Sequence, residues 1–168
     1  MKWWKKLLVL LVAGVVCGAI TRVMALWVLK NTLSASAAEQ TYGDLTYVLH
    51  NGNAEITGCA AGVTALEIPA EIDGSPVTAV GDSAFLKQQK LQTVSLPDSV
   101  QSIGTQAFSG CINLQEITVP AGTQSVGNSA FSGCTNLEKV VLGDSVETLG
   151  SSVFSGCESL AEVQLSAN

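Results

Sequence analysis

Basic residues almost disappear from this chain after its first 37 positions. Lys2, Lys5, Lys6, Arg22 and Lys30 precede position 38, and only Lys87, Lys90 and Lys139 follow it. All fourteen acidic residues lie at Glu39 or later, so residues 38–168 set three lysines against fourteen carboxylates, a net charge of −11. Binding a phosphate backbone or an anionic headgroup layer depends on Lys and Arg neutralising the anion, which sets nucleic acid aside as a partner. Histidine is as scarce. His50 is the single one, no serine has a second histidine or a recognisable base to work with, and a Ser-His-Asp triad has nothing to stand on. The five cysteines form no C-x-x-C pair of the kind zinc sites use. No G-x-x-x-x-G-K-[ST] or G-x-G-x-x-G fingerprint follows a strand pattern. Glu67, Glu116, Glu138 and Glu162 recur regularly, but a ladder of exposed acids more often keeps a surface soluble than forms a hydrolytic carboxylate pair. The chain reads as a non-enzyme with no cofactor and no metal.

The basic lead Met1-Lys-Trp-Trp-Lys-Lys6 opens onto an uncharged apolar run from Leu7 to Ile20, LLVLLVAGVVCGAI. That length suits the hydrophobic region of a secretory signal and is short of the roughly 20 residues a bilayer-spanning helix needs. Ser34-Ala-Ser-Ala-Ala38 offers an Ala35-x-Ala37 cleavage site. Apolar sequence resumes at VMALWVL (23–29), so a second reading is an uncleaved anchor helix over about 7–29, held by its flanking lysines. Residues 1–37 are thus a signal peptide or a signal anchor. Either one places residues 40–168 outside the cytoplasm, and membrane contact belongs to the N-terminal segment alone.

What is plentiful is repetition. Phe85, Phe108, Phe131 and Phe154 are all the phenylalanines of the chain and recur every 23 residues. The text around them reads GDSAFLKQQKL (81–91), GTQAFSGCINL (104–114), GNSAFSGCTNL (127–137) and GSSVFSGCESL (150–160). A fixed period of this size marks a solenoid, in which each unit buries its apolar face only against its neighbours. Units begin at Val63, Leu91, Leu114 and Leu137, with a partial unit from Leu160. Each of the later ones opens with L-x-x-V-x-L, as in LQTVSL (91–96) and LQEITV (114–119). Apolar residues two apart predict a short strand with one buried face, and stacked units place these strands parallel, about 4.8 Å apart. A second apolar pair follows, Val100/Ile103 and Val146/Leu149, with a weaker Thr123/Val126. Next come Gly81, Gly104, Gly127 and Gly150, where a sharp turn or a positive φ is expected. The Ala-Phe dipeptide is predicted in a 3₁₀ turn or short helix on the opposite side, its rings stacked as a spine. Cys111, Cys134 and Cys157 share one repeat position and read as small buried side chains. Residues 38–62 are expected to form a linker and a β-hairpin cap, with LTYVL (45–49) and AEIT (54–57) flanking the turn signal His50-Asn-Gly-Asn53.

The pattern L-x-x-V-x-L-P-x-S-V-x-x-I-G-x-x-A-F-S-G-C-x-N (91–113) resembles the 23-residue unit of BspA-like leucine-rich repeats, with matching positions over roughly 63–168. The resemblance implies a leucine-rich-repeat solenoid with one parallel ladder, and an association with bacterial surfaces and adhesion. It departs from better-known leucine-rich repeats in having no Asn ladder after the strand.

The outward strand positions vary between units while the inward ones barely do. They are Gln92, Thr93 and Ser95; Gln115, Glu116 and Thr118; Glu138, Lys139 and Val141; and Glu162 and Gln164. They form the candidate ligand face, poor in the Trp, Tyr and Arg that anchor tight interfaces, so weak or multivalent binding of a protein or glycan is expected. Two alternatives stand beside this one: a passive spacer or remnant of a longer array, and an accessory domain for an enzyme encoded elsewhere.

Overall fold

The structure, a computed structural model, describes residues 38–165. The readings of residues 1–37 as signal, anchor or hydrophobic helix lie outside these residues. Strands β1 (Gln40–Tyr42), β2 (Leu45–His50) and β3 (Asn53–Cys59) form an antiparallel meander. The expected hairpin closes at Asn51-Gly52, whose φ angles of 52° and 84° fit a two-residue primed turn. Leu45, Tyr47, Ala54 and Ile56 turn one face of it into the core. The Tyr47 hydroxyl donates to an Asp73 carboxylate oxygen at 3.0 Å and ties the meander to the first coil.

From β4 (Ala65–Glu67) onward the chain winds in coils with two parallel ladders. The L-x-x-V-x-L segments supply the first: β4 beside β7 (Thr93–Ser95), then β9 (Glu116–Thr118), β11 (Lys139–Leu142) and β13 (Glu162–Leu165). Between β7 and β9 the backbone link is a single bond, Gln115 N–H to Gln92 C=O at 3.3 Å. The second apolar pair does more than fill the core. It builds a second parallel ladder from β6 (Ser75–Val80), β8 (Ser102–Ile103), β10 (Ser125–Val126) and β12 (Thr148–Leu149), and β3 joins it beside β6. The first unit is longer because β5 (Glu71–Ile72) and β6 make their own hairpin around Asp73-Gly74, with φ of 51° and 80°.

The third side corrects the expectation of a 3₁₀ or short helix. Among the described residues there is no helix; the Ala-Phe-Ser-Gly segments are runs of turns. Ser83, Gln106, Ser129 and Ser152 have φ of 55–58°, and Gly110, Gly133 and Gly156 have φ of 72–74°. Such left-handed residues break a helical bond pattern. Alternate N–H groups instead point at the next coil: Phe85 donates to Ala107 C=O at 2.7 Å, Phe108 to Ala130 at 2.8 Å and Phe131 to Val153 at 3.0 Å. Every bond of this set runs forward, from an earlier coil's N–H to a later coil's C=O.

Gly104, Gly127 and Gly150 do not take positive φ, contrary to one of the two expectations. They are needed because the coils touch there: a Cβ on Gly127 would sit 2.6 Å from the carbonyl carbon of Gly104. Positive φ falls two residues later, on serine or glutamine. Phe85, Phe108 and Phe131 are fully buried and stack with Phe154 at centroid distances of 5.0, 5.3 and 5.8 Å. Offset ring pairs of this kind add about 0.5–1.5 kcal/mol each beyond their buried area.

Candidate functional site

Two consecutive residues face solvent at the start of each first-ladder strand, and the backbone explains why. Thr64 C=O accepts from both Gln92 and Thr93 N–H, at 2.7 and 3.3 Å, and Gln115 C=O accepts from both Glu138 and Lys139, at 2.8 and 3.4 Å. Sharing one carbonyl between successive N–H groups kinks the strand as a bulge does, so alternation begins only after that point. The register then sorts the eleven candidate residues into three columns. Gln92, Gln115 and Glu138 lie along the kink; Thr93, Glu116, Lys139 and Glu162 form the next column; Ser95, Thr118, Val141 and Gln164 form the third. Lys139 is the one base among them, with its ammonium 3.8 Å from Glu162, its neighbour in the column. An exposed pair at that distance contributes at most about 1 kcal/mol. Gln164 donates its side-chain N–H to Glu162 at 2.6 Å.

The structure extends this face by one rung that the candidate set left out. Ala65 and Glu67 of β4 register with Thr93 and Ser95, and the four border a shallow groove of about 540 Å³. The sequence signal was present: Val63-Thr-Ala-Leu-Glu-Ile-Pro69 fits L-x-x-V-x-L-P.

The other chemistry-bearing residues do structural work. Cys111, Cys134 and Cys157 are free thiols, and each donates S–H to the carbonyl of the phenylalanine 26 residues earlier, at 3.0–3.1 Å. Burial pushes the Cys111 and Cys134 thiols up to about 12, which keeps them protonated and unreactive. Asn113 donates to Gln89 C=O at 2.6 Å, and Asn136 to the Asn113 side chain at 3.3 Å, a short Asn column before the strand rather than after it. Thr123, fully buried, donates to Val100 C=O at 2.9 Å. His50 pairs with Glu55 at 3.4 Å on the surface of the hairpin, and among the described residues no three His, Cys, Asp or Glu side chains converge as a metal site would require.

Repeating coils, a phenylalanine spine and a thiol column describe one repeat type, and the family model for the BspA type leucine-rich repeat region matches residues 74–168 in six copies. The chain belongs to the BspA-type leucine-rich repeat family. Crystal structures of bacterial members or relatives overlay on it. A leucine-rich repeat protein from Bacteroides capillosus gives a TM-score of 0.70 at 28% identity, over 78% of this chain and all of that one. The Treponema pallidum (T. pallidum) leucine-rich repeat protein gives 0.60 at 30% identity, over 74% and 70% of the two chains. A leucine-rich cell surface protein from Faecalibacterium prausnitzii gives 0.62 at 26% identity; the BspA-type chain is covered over 79%, and spans 44% of that longer protein. No curated protein matches the chain.

Proposed function

We propose that this BspA-type chain is an exported, non-enzymatic protein-interaction module of the cell surface, which binds a protein or glycan through the outward face of its first ladder. The observation that carries this reading is a contrast along the coils. Inward positions repeat almost unchanged as Leu, Ile, Val and Phe, whereas two of the three outward columns change residue at each rung and the third changes from Gln92 and Gln115 to Glu138. Core packing constrains the first set and leaves the second open to recognition. The Faecalibacterium relative described as a cell surface protein supports the location, and the leader over 1–37 supplies a route. Residues 1–37 serve as the export segment, 38–62 as linker and hairpin cap, and 63–168 as the repeats. Small, hydroxyl- and amide-rich columns without an aromatic anchor favour many weak contacts over one tight one.

The test is adhesion of beads carrying the full-length chain to immobilised matrix proteins and mucin glycans. Glu116→Lys, Glu138→Lys and Glu162→Lys together are expected to abolish binding while the thermal transition is kept. Unchanged adhesion would leave the ladder face without a role and favour the spacer reading. N-terminal sequencing of the mature protein addresses the leader separately: a start at Ala38 in the medium eliminates the anchor.

A further inference from the structure

The cap does not close both ladders. Strand β3 gives the second ladder a neighbour beside β6, but among the described residues β4 pairs with β7 alone. Two bonds fix which way its peptide groups point. Thr64 C=O accepts from Gln92 N–H, and Ile68 N–H donates to Ser95 C=O at 3.0 Å. Successive residues of a strand direct their groups to opposite sides, so residues 64, 66 and 68 face β7. The N–H and C=O of Ala65 and Glu67 therefore face the other way. Beside that edge lies a groove of about 310 Å³, lined by the β1–β2 turn at Tyr42–Leu45 together with β4 and Pro69. Tyr42 is 46% exposed and apolar Leu66 borders the same groove, while Asp44 and Glu67 place two carboxylates there and, among the described residues, no base lines it.

We propose that this groove takes an extended polypeptide segment carrying a basic side chain, added to the outer edge of β4 as a parallel strand. The edge offers alternating backbone donors and acceptors at strand spacing, which another strand satisfies and a glycan does not. The two carboxylates select a Lys or Arg on the incoming segment, and Tyr42 and Leu66 receive its apolar neighbour. The site shares only the β4 rung, Ala65 and Glu67, with the outward face proposed above, and does not depend on that face binding a ligand.

The probe is the acetylated heptapeptide Leu-Glu-Lys-Val-Val-Leu-Gly, residues 137–143, which already forms a rung of this ladder. Bound to the full-length chain, it slows amide exchange at Ala65 and Glu67 by about tenfold or more. Two changes remove this protection. One is N-methylation of the peptide at its Val140 position, which deletes the donor facing Ala65 C=O. The other is Ala65→Pro in the protein, which deletes an N–H from the free edge and none from the ladder. Replacing the peptide's lysine by glutamate weakens binding about tenfold, one close charge contact reversed. Charge reversal at Glu116, Glu138 and Glu162 leaves the peptide bound, so this site and the outward face fail separately. Equal binding of the N-methylated peptide, protection at amides elsewhere instead of 65 and 67, or no binding at millimolar peptide would each overturn the proposal.

Discussion

Single residues carry the coil-to-coil contacts, and two glycines of one coil show how different their reasons are. Gly127 lies where backbones meet, so Gly127→Ala forces a Cβ to within 2.6 Å of Gly104 and Thr105 backbone atoms. Coils must separate to admit it, and a loss of about 3 kcal/mol is expected in urea titration, the upper range for overpacking. Gly133 has φ of 72° and backbone neighbours of its would-be Cβ only at 3.7 Å and beyond. Gly133→Ala is therefore expected to cost only about 1–2 kcal/mol, the left-handed penalty alone. The buried thiols make stability depend on pH. Folding raises the Cys111 and Cys134 values to about 12, mainly by desolvation, whereas an unfolded thiol titrates near 8.5. Their contribution is complete below pH 8.5 and is lost as pH rises from there toward 12, at about 1.4 kcal/mol per thiol per pH unit. Denaturation midpoints at pH 8, 9 and 10 should fall accordingly, and Cys111→Ala with Cys134→Ala should flatten the decline while lowering stability at pH 8.

At the scale of elements, the first coil departs most from its fellows. Lys87 occupies the position that Gly110, Gly133 and Gly156 fill elsewhere, at φ of 57°. Lys87→Gly should stabilise the fold by about 0.5–1 kcal/mol, relief of the left-handed strain less the extra freedom glycine gives the unfolded chain; a rise in melting temperature checks it. The 23-residue period exposed the coils because every Phe obeys it, and alternation exposed the first ladder because Val94 or Ile117 must point inward. Asn51-Gly52 announced its hairpin. Asp73-Gly74 carries the same turn chemistry, between Pro69 and Pro76 in the longer first unit, outside the 23-residue period that exposed the other coils. The turn side could not be read, since serine and glutamine do not advertise a left-handed backbone. Nor could the partner of each cysteine, a main-chain carbonyl, be inferred from side-chain types. The outward columns were legible as exposed positions, but their kinked start depends on one carbonyl shared by two donors, which no residue pattern encodes.

At the scale of the whole molecule, each coil is stabilised by its neighbours and by little else, so stability is a sum along one axis. The described coils are unequal in burial: Phe108 and Phe131 are fully buried, Phe154 is partly exposed, and β13 is exposed at all four residues. Amide exchange should therefore be slowest at Phe108 and grow faster toward Gln164, following successive opening from that side; uniform protection along the axis would show a single cooperative unit instead. The forward-running bonds of the turn side give this axis a sense as well. A coil that has already folded presents three aligned N–H groups, and chain leaving the ribosome afterward brings the carbonyls that meet them. On the strand side the bonds run both ways: Ala161 donates back to Glu138 at 3.0 Å, whereas Ile68 and Val119 donate forward to Ser95 and Val141 at 3.0 and 2.8 Å. On the turn side each finished coil thus leaves a row of open donors for the coil synthesised after it, so that side has a single sense while the strand side has both.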